Sequence, residues 1–305
     1  MSVKPLVSIV LPVYNGARFL RDSIQSCLSQ TYTSIQLIVV DDASKDNSVD
    51  IVKSFHDERI RLVCHPVNKK LPAALNTGFA HSSGAYLTWT SDDNYYAPTA
   101  IAEMVGFLEE NPEIDFVFAN QYDVDEAGKV VGEVKPGPFE KLTEWCCASG
   151  GFLYRRSVYE KLGDYDGKFH LAQDYDYWLR AYMNFRLGHL DRFLYYSRVH
   201  PGQMTIRFNT EIIEDTLAVK RKVLGTQSQE SQRQLSRAHI YAASCLLEKN
   251  KRSAAARTFL RGVAFEPKCI ARYSNLVLLA GICLGRSGLG VLQRVKRAIR
   301  AAEAD

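Results

Sequence analysis

The sequence predicts an α/β protein in which helices cover both faces of a mostly parallel sheet, followed by a helical region. Apolar runs rich in β-branched residues, such as Val7–Val13, have the composition of strands that are buried on both faces. Over roughly the first 120 residues these runs alternate with helical patterns, which is the order of a parallel sheet built from βαβ units. After Thr210, long helical patterns replace the strands.

Each element is predicted from its own periodicity. The strand pattern occurs at residues 7–13, 35–40, 60–64, 86–90, 116–119 and 152–154. Helical patterns occur at 17–30, 48–55, 71–80, 99–110, 157–162 and 174–184, and in the C-terminal region at 211–224, 232–249 and 253–265. Ser48 is placed to cap the second of these helices, because a serine hydroxyl can accept from the free amides of a first helical turn.

The charge of the chain is divided unevenly. Residues 211–305 carry 17 Lys or Arg against 8 Asp or Glu, a net charge of +9, which leaves −5 for residues 1–210. We therefore predict two regions, a domain at 1–210 and a helical region at 211–305. An acidic domain followed by a basic region favours a cation-dependent site in the first and an anionic partner for the second.

The cysteines and the N-terminus indicate a reduced, cytoplasmic protein. The seven cysteines are odd in number and match no zinc-binding spacing. The first strand pattern begins at Val7 without a charged and then apolar leader before it, so no signal peptide is predicted. The longest apolar stretch, residues 276–284, is too short to span a bilayer.

Acidic residues follow two of the predicted strands. Asp41 and Asp42 end the run at 35–40, and Asp92 and Asp93 follow the run at 86–90. Open α/β sheets bind ligands at the carboxyl ends of their strands, where these pairs are expected to lie. Neighbouring carboxylates repel each other, and a divalent cation or a ligand donor would offset that repulsion. Asp41 by itself is also explained as a residue that simply ends a strand.

Several ordered segments resemble the family 2 glycosyltransferases. They lie at residues 7–16, 29–32, 39–46, 73–78, 84–93, 151–156 and 173–176, so the resemblance covers about residues 5–205. It implies the GT-A fold, with a nucleotide-sugar-binding half at 1–119 and an acceptor half at 120–210. It also implies an inverting hexosyl transfer from a nucleotide-sugar, expected to be a UDP-sugar, to a glycan or lipid-linked acceptor. No nucleic-acid partner is expected.

The resemblance also implies roles for single residues. Asp174 matches the general base, and Asp93 and His200 match the residues that hold the metal. Asp42 matches the acid that binds the nucleobase of the donor. The other residues matched to nucleotide-sugar binding are Pro12, Tyr14, Asn15, Asn68 and Asp92. The residues expected on the acceptor side are Trp145, Gly151 and Gln173.

Physical chemistry agrees with these roles. A hard cation, Mn²⁺ or Mg²⁺, would neutralise the charge of the leaving diphosphate. Inversion requires one carboxylate to take the proton of the acceptor hydroxyl, and the N-terminal end of a helix is expected to keep Asp174 ionised. The sequence departs from the family at Ser91 or Thr90, where an acid is common, at Gln173, where Glu is common, and at Leu75, where Arg is common. None of these changes removes the metal pair or the general base.

Other functions fit the chain less well. A response-regulator receiver carries its acid pair after the first strand, whereas Asp41 and Asp42 follow the second. A nucleotidyltransferase needs a glycine-rich basic loop, which residues 14–17 do not provide. The alternative that stays open is a catalytically inactive GT-A-like module that binds a nucleotide-sugar or a partner.

Two partners are left open for the helical region. Residues 290–300 form a basic amphipathic pattern that suits an anionic membrane surface, which would place the protein peripherally on the inner face of the membrane. A helical hairpin at 232–265 resembles a tetratricopeptide pair and would instead bind a protein.

Overall fold

A computed structural model of the chain describes residues 4–204, 211–271, 274–275, 278–279 and 281–283. Within this part of the chain two compact units are formed. The first contains residues 4–142 and 146–204, and the second contains residues 143–145 and the described residues from 211 onward. The domain boundaries expected from the sequence stay a prediction.

The first unit is built on one nine-stranded mixed sheet. Its strands run in the spatial order β3-β2-β1-β4-β8-β6-β9-β5, with β7 paired to β6. The bounds are β1 Val7–Val13, β2 Ile35–Asp41, β3 Ile60–Cys64, β4 Tyr86–Trp89, β5 Tyr95–Tyr96, β6 Phe116–Val124, β7 Val130–Val134, β8 Phe152–Arg155 and β9 Leu187–Arg198. Strands β1 to β4 pair in parallel, which confirms the predicted fold class for the N-terminal half.

Strand β8 is antiparallel to both of its neighbours, β4 and β6. The sequence placed 116–119 as the next strand of a simple βα alternation, but β8 lies between that segment and β4. Because β8 runs against both neighbours, β6 keeps the direction of β1 to β4 and their carboxyl ends share one edge of the sheet.

Helices cover both faces of this sheet. Their bounds are α1 Leu20–Leu28, α2 Ser48–Lys53, α3 Leu71–Ala80, α4 Ala100–Glu110, α5 Arg156–Leu162 and α6 Gln173–Asn184. Apolar side chains of α1, α2 and α4 pack on one face with Ile9 and Leu11, whereas those of α3, α5 and α6 pack with Val10 on the other. Alternate residues of β1 therefore enter opposite cores, which is why the strand is apolar throughout.

The cap predicted for the second helix is wrong in detail. Ser48 is the first residue of α2 rather than its cap, and its hydroxyl donates to Asp46 Oδ1 over 2.6 Å. It also accepts from the Gly16 amide over 3.2 Å. Tertiary contacts therefore use the serine that local sequence assigned to the helix end.

The second unit is helical. It contains α7 Glu211–Leu224, α8 Gln229–Glu248 and α9 Arg252–Phe265, close to the predicted segments. Helices α8 and α9 bury Leu246, Ala255 and Phe259 in a shared apolar cluster. None of the helices described for this chain is long and apolar enough to cross a bilayer. The predicted basic helix at 290–300 lies outside the described residues.

Candidate active site

The order of the strands creates a crevice between the carboxyl ends of β1 and β4. Strands β2 and β3 lie on one side of β1, and β4 lies on the other, so the sheet changes winding direction there. Thr90 N donates to Val10 O as the last described backbone bond between these strands. Pro12 lies two residues further and faces the same side, where no strand requires its missing N–H. Open sheets bind ligands at such a crevice.

The loop after β1 is fastened to the loop after β2. Asn15 N donates to Ser44 Oγ over 2.9 Å, and Lys45 N donates to Asn15 Oδ1 over 2.7 Å. Asn15 has a φ of +55°, a left-handed conformation that asparagine tolerates. The Asn15 side chain thus has a structural partner, while neighbouring Tyr14 is 50% exposed at the mouth of the crevice.

Asp92 lies against the loop after β1. A Cβ added at Gly16 would lie 1.8 Å from Asp92 Oδ2, so only glycine leaves room for this carboxylate. Burial, and next the negative charge of Asp93, raise the pKa of Asp92 to about 8, although a backbone hydrogen bond from Tyr14 opposes the shift. Asp92 therefore holds a proton at neutral pH unless a positive charge approaches.

Asp93 and His200 are brought together from the ends of distant segments. Asp93 Oδ2 lies 3.0 Å from His200 Nε2, although the two residues are 107 positions apart in the chain. Ser91 Oγ donates to Asp93 Oδ1 over 2.6 Å and so fixes its other oxygen. The serine that replaces the family's common acid is thus a direct partner of Asp93.

These residues fit a divalent cation. Asp93 and His200 offer a carboxylate and an imidazole, a pair that suits Mn²⁺, whereas Mg²⁺ prefers oxygen ligands alone. Burial first, and then the charge of Asp93, raise the pKa of Asp92, and a cation nearby would favour the ionised form of Asp92. Across the described ranges no cluster of three or more His, Cys, Asp or Glu residues is arranged to hold a metal. Ligand oxygens or water would therefore complete the coordination.

Asp41 and Asp42 differ in their hydrogen bonds, although both are 3% exposed. Asp42 accepts from the backbone amides of Lys69 and Lys70, each over 2.8 Å, and Asp42 Oδ1 lies 2.7 Å from His65 Nδ1. Asp41 Oδ2 accepts from Ser44 N over 3.2 Å, but Asp41 Oδ1 is buried without a hydrogen-bond partner. The oxygen that needs a donor is on Asp41, and the base contact expected of Asp42 stays a prediction.

Asp174 lies in the first turn of α6. Its Oδ1 accepts from Tyr175 N over 2.7 Å. Burial nevertheless raises its pKa to about 6, outweighing hydrogen bonds from the backbone of Tyr175 and of Asp174 itself. With this pKa the carboxylate is mostly ionised at neutral pH and is a stronger base than an ordinary aspartate, while the effect expected of the helix end stays a prediction. Gln173, 5% exposed, has an amide oxygen buried without a hydrogen-bond partner.

The other residues expected on the acceptor side have different surroundings. Gly151 packs against Tyr195, whose Cβ would be 2.8 Å from an added Cβ, so tight strand packing explains this glycine. Trp145 is 39% exposed and belongs to the second unit. Asn68, expected at the nucleotide, has a buried amide oxygen with no partner. The acceptor roles stay predictions.

The sequence analysis missed two buried residues near these groups, the cation Arg198 and the imidazole of His65. Arg198 is 5% exposed, donates to Asp22 Oδ2 over 3.1 Å, and lies 4.2 Å from the centre of the Phe19 ring. The His200 ring packs on the same Phe19, with ring centres 5.2 Å apart. His65 was missed because nothing near it in sequence marks it. Arg198 could have been found from its position two residues before His200.

The comparisons with known proteins agree with this geometry. The profile of Glycosyl transferase family 2 matches residues 8–163, which is half of the chain. This chain belongs to glycosyl transferase family 2. It is 32% identical over 230 residues to the Bacillus subtilis protein named "Putative glycosyltransferase EpsE", covering 72% of this chain and 82% of that one. An uncharacterized glycosyltransferase of Rickettsia felis is 32% identical over 211 residues, but the match spans only 35% of its length.

Solved structures show the same fold at low sequence identity. Staphylococcus aureus TarS residues 1–349 in complex with UDP-GlcNAc has a TM-score of 0.67 and 16% identity, covering 93% of this chain and 88% of that one. The mannosyltransferase PcManGT of Pyrobaculum calidifontis, in complex with GDP-Man and Mn²⁺, has a TM-score of 0.62 and 19% identity, covering 99% and 87%. These solved structures show that the chain has the GT-A-like fold.

Proposed function

We propose that this glycosyltransferase is an inverting, metal-dependent enzyme that moves a hexosyl group from a UDP-sugar to a hydroxyl of a glycan or lipid-linked acceptor. The observation that carries the proposal is the 3.0 Å approach of Asp93 Oδ2 to His200 Nε2 at the carboxyl edge of the sheet. Asp92 beside it has a pKa raised to about 8, by burial first and by the charge of Asp93 second, and such perturbed carboxylates are typical of functional sites.

Asp174 is the general base in this proposal. The acceptor hydroxyl oxygen forms a bond to the anomeric carbon, Asp174 takes the hydroxyl proton, and the bond to the nucleoside diphosphate breaks with its electron pair. The single displacement inverts the anomeric centre. A base with a pKa of about 6 is ionised at neutral pH and accepts a proton more readily than an ordinary carboxylate.

Asp93 and His200 would hold the metal beside the diphosphate, and Asp92 lies next to Asp93 in the chain. When bound, the cation neutralises the charge that develops on the leaving group. The hydrogen bond from Ser91 to Asp93 keeps one carboxylate oxygen fixed, so the other stays directed toward His200. The manganese that accompanies GDP-Man in the PcManGT complex supports this choice of ion.

Asp41 and Asn68 are our candidates for the contacts to the nucleobase of the donor. Each has a side-chain oxygen that is buried and has no partner, a state that typically costs about 1–3 kcal/mol until a donor is supplied. The imide N–H of uracil is such a donor. The UDP-GlcNAc complex of TarS supports uridine, while the GDP-Man complex of PcManGT keeps guanosine as the alternative outcome of the test.

The test measures binding and slow hydrolysis of UDP-glucose, UDP-GlcNAc and GDP-mannose with and without Mn²⁺. We expect one donor to bind and to be hydrolysed only with the metal. Asp174→Asn should bind it nearly as well but hydrolyse it about 10²–10⁴-fold more slowly. Asp50→Asn, at an exposed aspartate in the first turn of α2, is the matched control.

Two outcomes would contradict the proposal. Undiminished hydrolysis by Asp174→Asn would show that another group is the base. Binding of no donor, with or without metal, would favour the inactive binding module over the enzyme.

A further inference from the structure

Three donors converge on the Asp42 carboxylate, and all three come from the segment that joins β3 to α3. Oδ1 receives the amide of Lys69 and lies 2.7 Å from His65 Nδ1, while Oδ2 receives the amide of Lys70. Asp42 therefore holds both ends of residues 65–70 to the end of β2. A carboxylate used in this way serves the loop before it serves a ligand.

His65 extends this attachment to α3. The ring is 7% exposed, and its Nε2 lies 2.9 Å from Thr77 Oγ1 in α3. An ionised Asp42 only accepts hydrogen bonds, so Nδ1 of His65 must carry the proton directed at it. We call the chain formed by Asp42, His65 and Thr77 the His65 clasp; it connects β2, β3 and α3.

The loop that the clasp holds is strained. Lys70 has a φ of +74° and a ψ of 163°, a backbone region that is almost confined to glycine and costs a lysine about 1–3 kcal/mol. Its amide is bound by Asp42, and it immediately precedes α3. The same loop carries Asn68, whose buried side-chain oxygen has no partner. Strain that is held by buried hydrogen bonds next to an unpaired acceptor is typical of a preorganised binding site.

We propose that His65 is a positioning residue of the donor site. Through Asp42 and Thr77 it keeps residues 66–70 in the shape that presents Asn68 to the nucleobase, and it does not touch the substrate itself. This inference rests on the proposed function, since it assigns the loop to the base of a nucleotide-sugar. It predicts that the clasp controls donor affinity rather than the chemical step.

Two histidine replacements separate the two ends of the clasp. In His65→Asn the amide nitrogen takes the place of Nδ1 and keeps the bond to Asp42, whereas in His65→Gln the amide takes the place of Nε2 and keeps only the bond to Thr77. UDP and GDP are titrated in Mn²⁺, and the variants are compared with the nucleotide that wild type binds. We expect His65→Ala and His65→Gln to weaken binding about tenfold, and His65→Asn to stay within about threefold of wild type.

Kinetics of donor hydrolysis give a second measurement. KM for the donor should rise in His65→Ala by the same factor as the nucleotide Kd, while kcat at saturating donor stays within about twofold of wild type. A fall in kcat without a change in KM would overturn the positioning role, because it would place His65 in the chemical step.

Val63→Ala is the control for general loosening. Val63, in β3, packs against Ile38, Val40 and Ala74, and its side chain can form no hydrogen bond. This variant therefore loses packing and keeps the clasp. Equal weakening by Val63→Ala and His65→Ala would overturn the inference, and so would unchanged affinity in His65→Ala. If His65→Ala does not fold, Thr77→Val, which removes only the outer bond, replaces it and should weaken binding about threefold.

Failure of the clasp and failure of the proposed function are distinguishable. If wild type binds neither nucleotide, the proposed function fails, and amide exchange in the free protein decides the clasp. The amides of Lys69 and Lys70 should then exchange faster in His65→Ala than in His65→Asn. Equal exchange in the two variants would overturn the clasp as well.

Discussion

The acid pairs that end β2 and β4 look alike in the sequence but have different surroundings in the structure. In the first pair, both oxygens of Asp42 have hydrogen-bond partners within the protein, and one oxygen of Asp41 is left without a partner. In the second pair, burial and next the charge of Asp93 raise the pKa of Asp92, and Asp93 lies 3.0 Å from the Nε2 atom of His200.

This difference teaches that a repeated motif at one edge of a sheet can perform two tasks. In the first pair, donors of the protein occupy the carboxylate of Asp42, so this residue shapes a loop, while Asp41 offers one acceptor. In the second pair, burial and a neighbouring like charge disfavour the ionised form of Asp92, and a cation there would favour it. The predictions below separate the two tasks.

The largest expected effect is at Asp93. Asp93→Asn should lower metal-dependent donor hydrolysis by about 10³-fold. A neutral amide is a poor ligand for a hard cation, and it replaces the carboxylate that faces His200. The measurement is the initial rate at increasing Mn²⁺ concentration. Asp22→Asn, an aspartate paired with Arg198 at a largely exposed position, is the control. A normal rate at the same Mn²⁺ concentration would remove the second pair from the metal site.

The next effect is on the pH dependence of catalysis. It tests whether the general base, Asp174, titrates independently of the two acid pairs. Asp174 must be ionised to act, and burial raises its pKa to about 6. In saturating Mn²⁺, kcat/KM should be constant above neutral pH and fall about tenfold for each pH unit below 6.

Gln173→Glu sharpens this test. A second negative charge beside Asp174 should raise the pKa of the base further and move the acid limb to higher pH. A limb that stays in place in this variant would assign it to a different group. Glu160→Gln, on α5, leaves the surroundings of Asp174 unchanged and serves as the control.

A smaller effect separates the two members of the first pair. Asp41→Asn should weaken nucleotide binding about tenfold and leave kcat nearly unchanged, because it replaces the buried, unpaired acceptor that we propose for the nucleobase. Asp42→Asn should also weaken binding, but with loss of amide protection at Lys69 and Lys70, since its NH₂ group would oppose an N–H donor. Calorimetry with amide exchange distinguishes the two. Faster loop exchange in Asp41→Asn would show that both acids serve the loop.

The smallest expected effect comes from Gly16, which lies outside the second acid pair but next to Asp92. Gly16→Ala places a Cβ 1.8 Å from Asp92 Oδ2 and 2.9 Å from Asp92 Cβ, so the whole Asp92 side chain must move. We expect a loss of a few-fold in donor hydrolysis, weaker dependence on Mn²⁺ and a lower thermal stability. Gly106→Ala, where an added Cβ has open space, is the matched control. Equal rates for the two variants would mean that the position of Asp92 is not critical.

Much of the fold could be predicted from the sequence because its signals are local. The run of apolar residues in β1 and the stripes of α1 and α4 are set by burial on one or two faces, which neighbouring residues encode. The strand ends that carry Asp41, Asp42, Asp92 and Asp93 follow from the same pattern. The family motifs added the expected roles of Asp93, Asp174 and His200.

The tertiary structure decided what the sequence could not. Insertion of β8 between β4 and β6 depends on pairing across distant segments, which local periodicity does not contain. The partner of Asp42 is His65, 23 residues away, and the partner of Asp93 is His200, 107 residues away. Likewise, the raised pKa of Asp174 depends on desolvation by the packed domain. Strand identity comes from a few adjacent residues, whereas hydrogen-bond partners and burial depend on the whole folded chain.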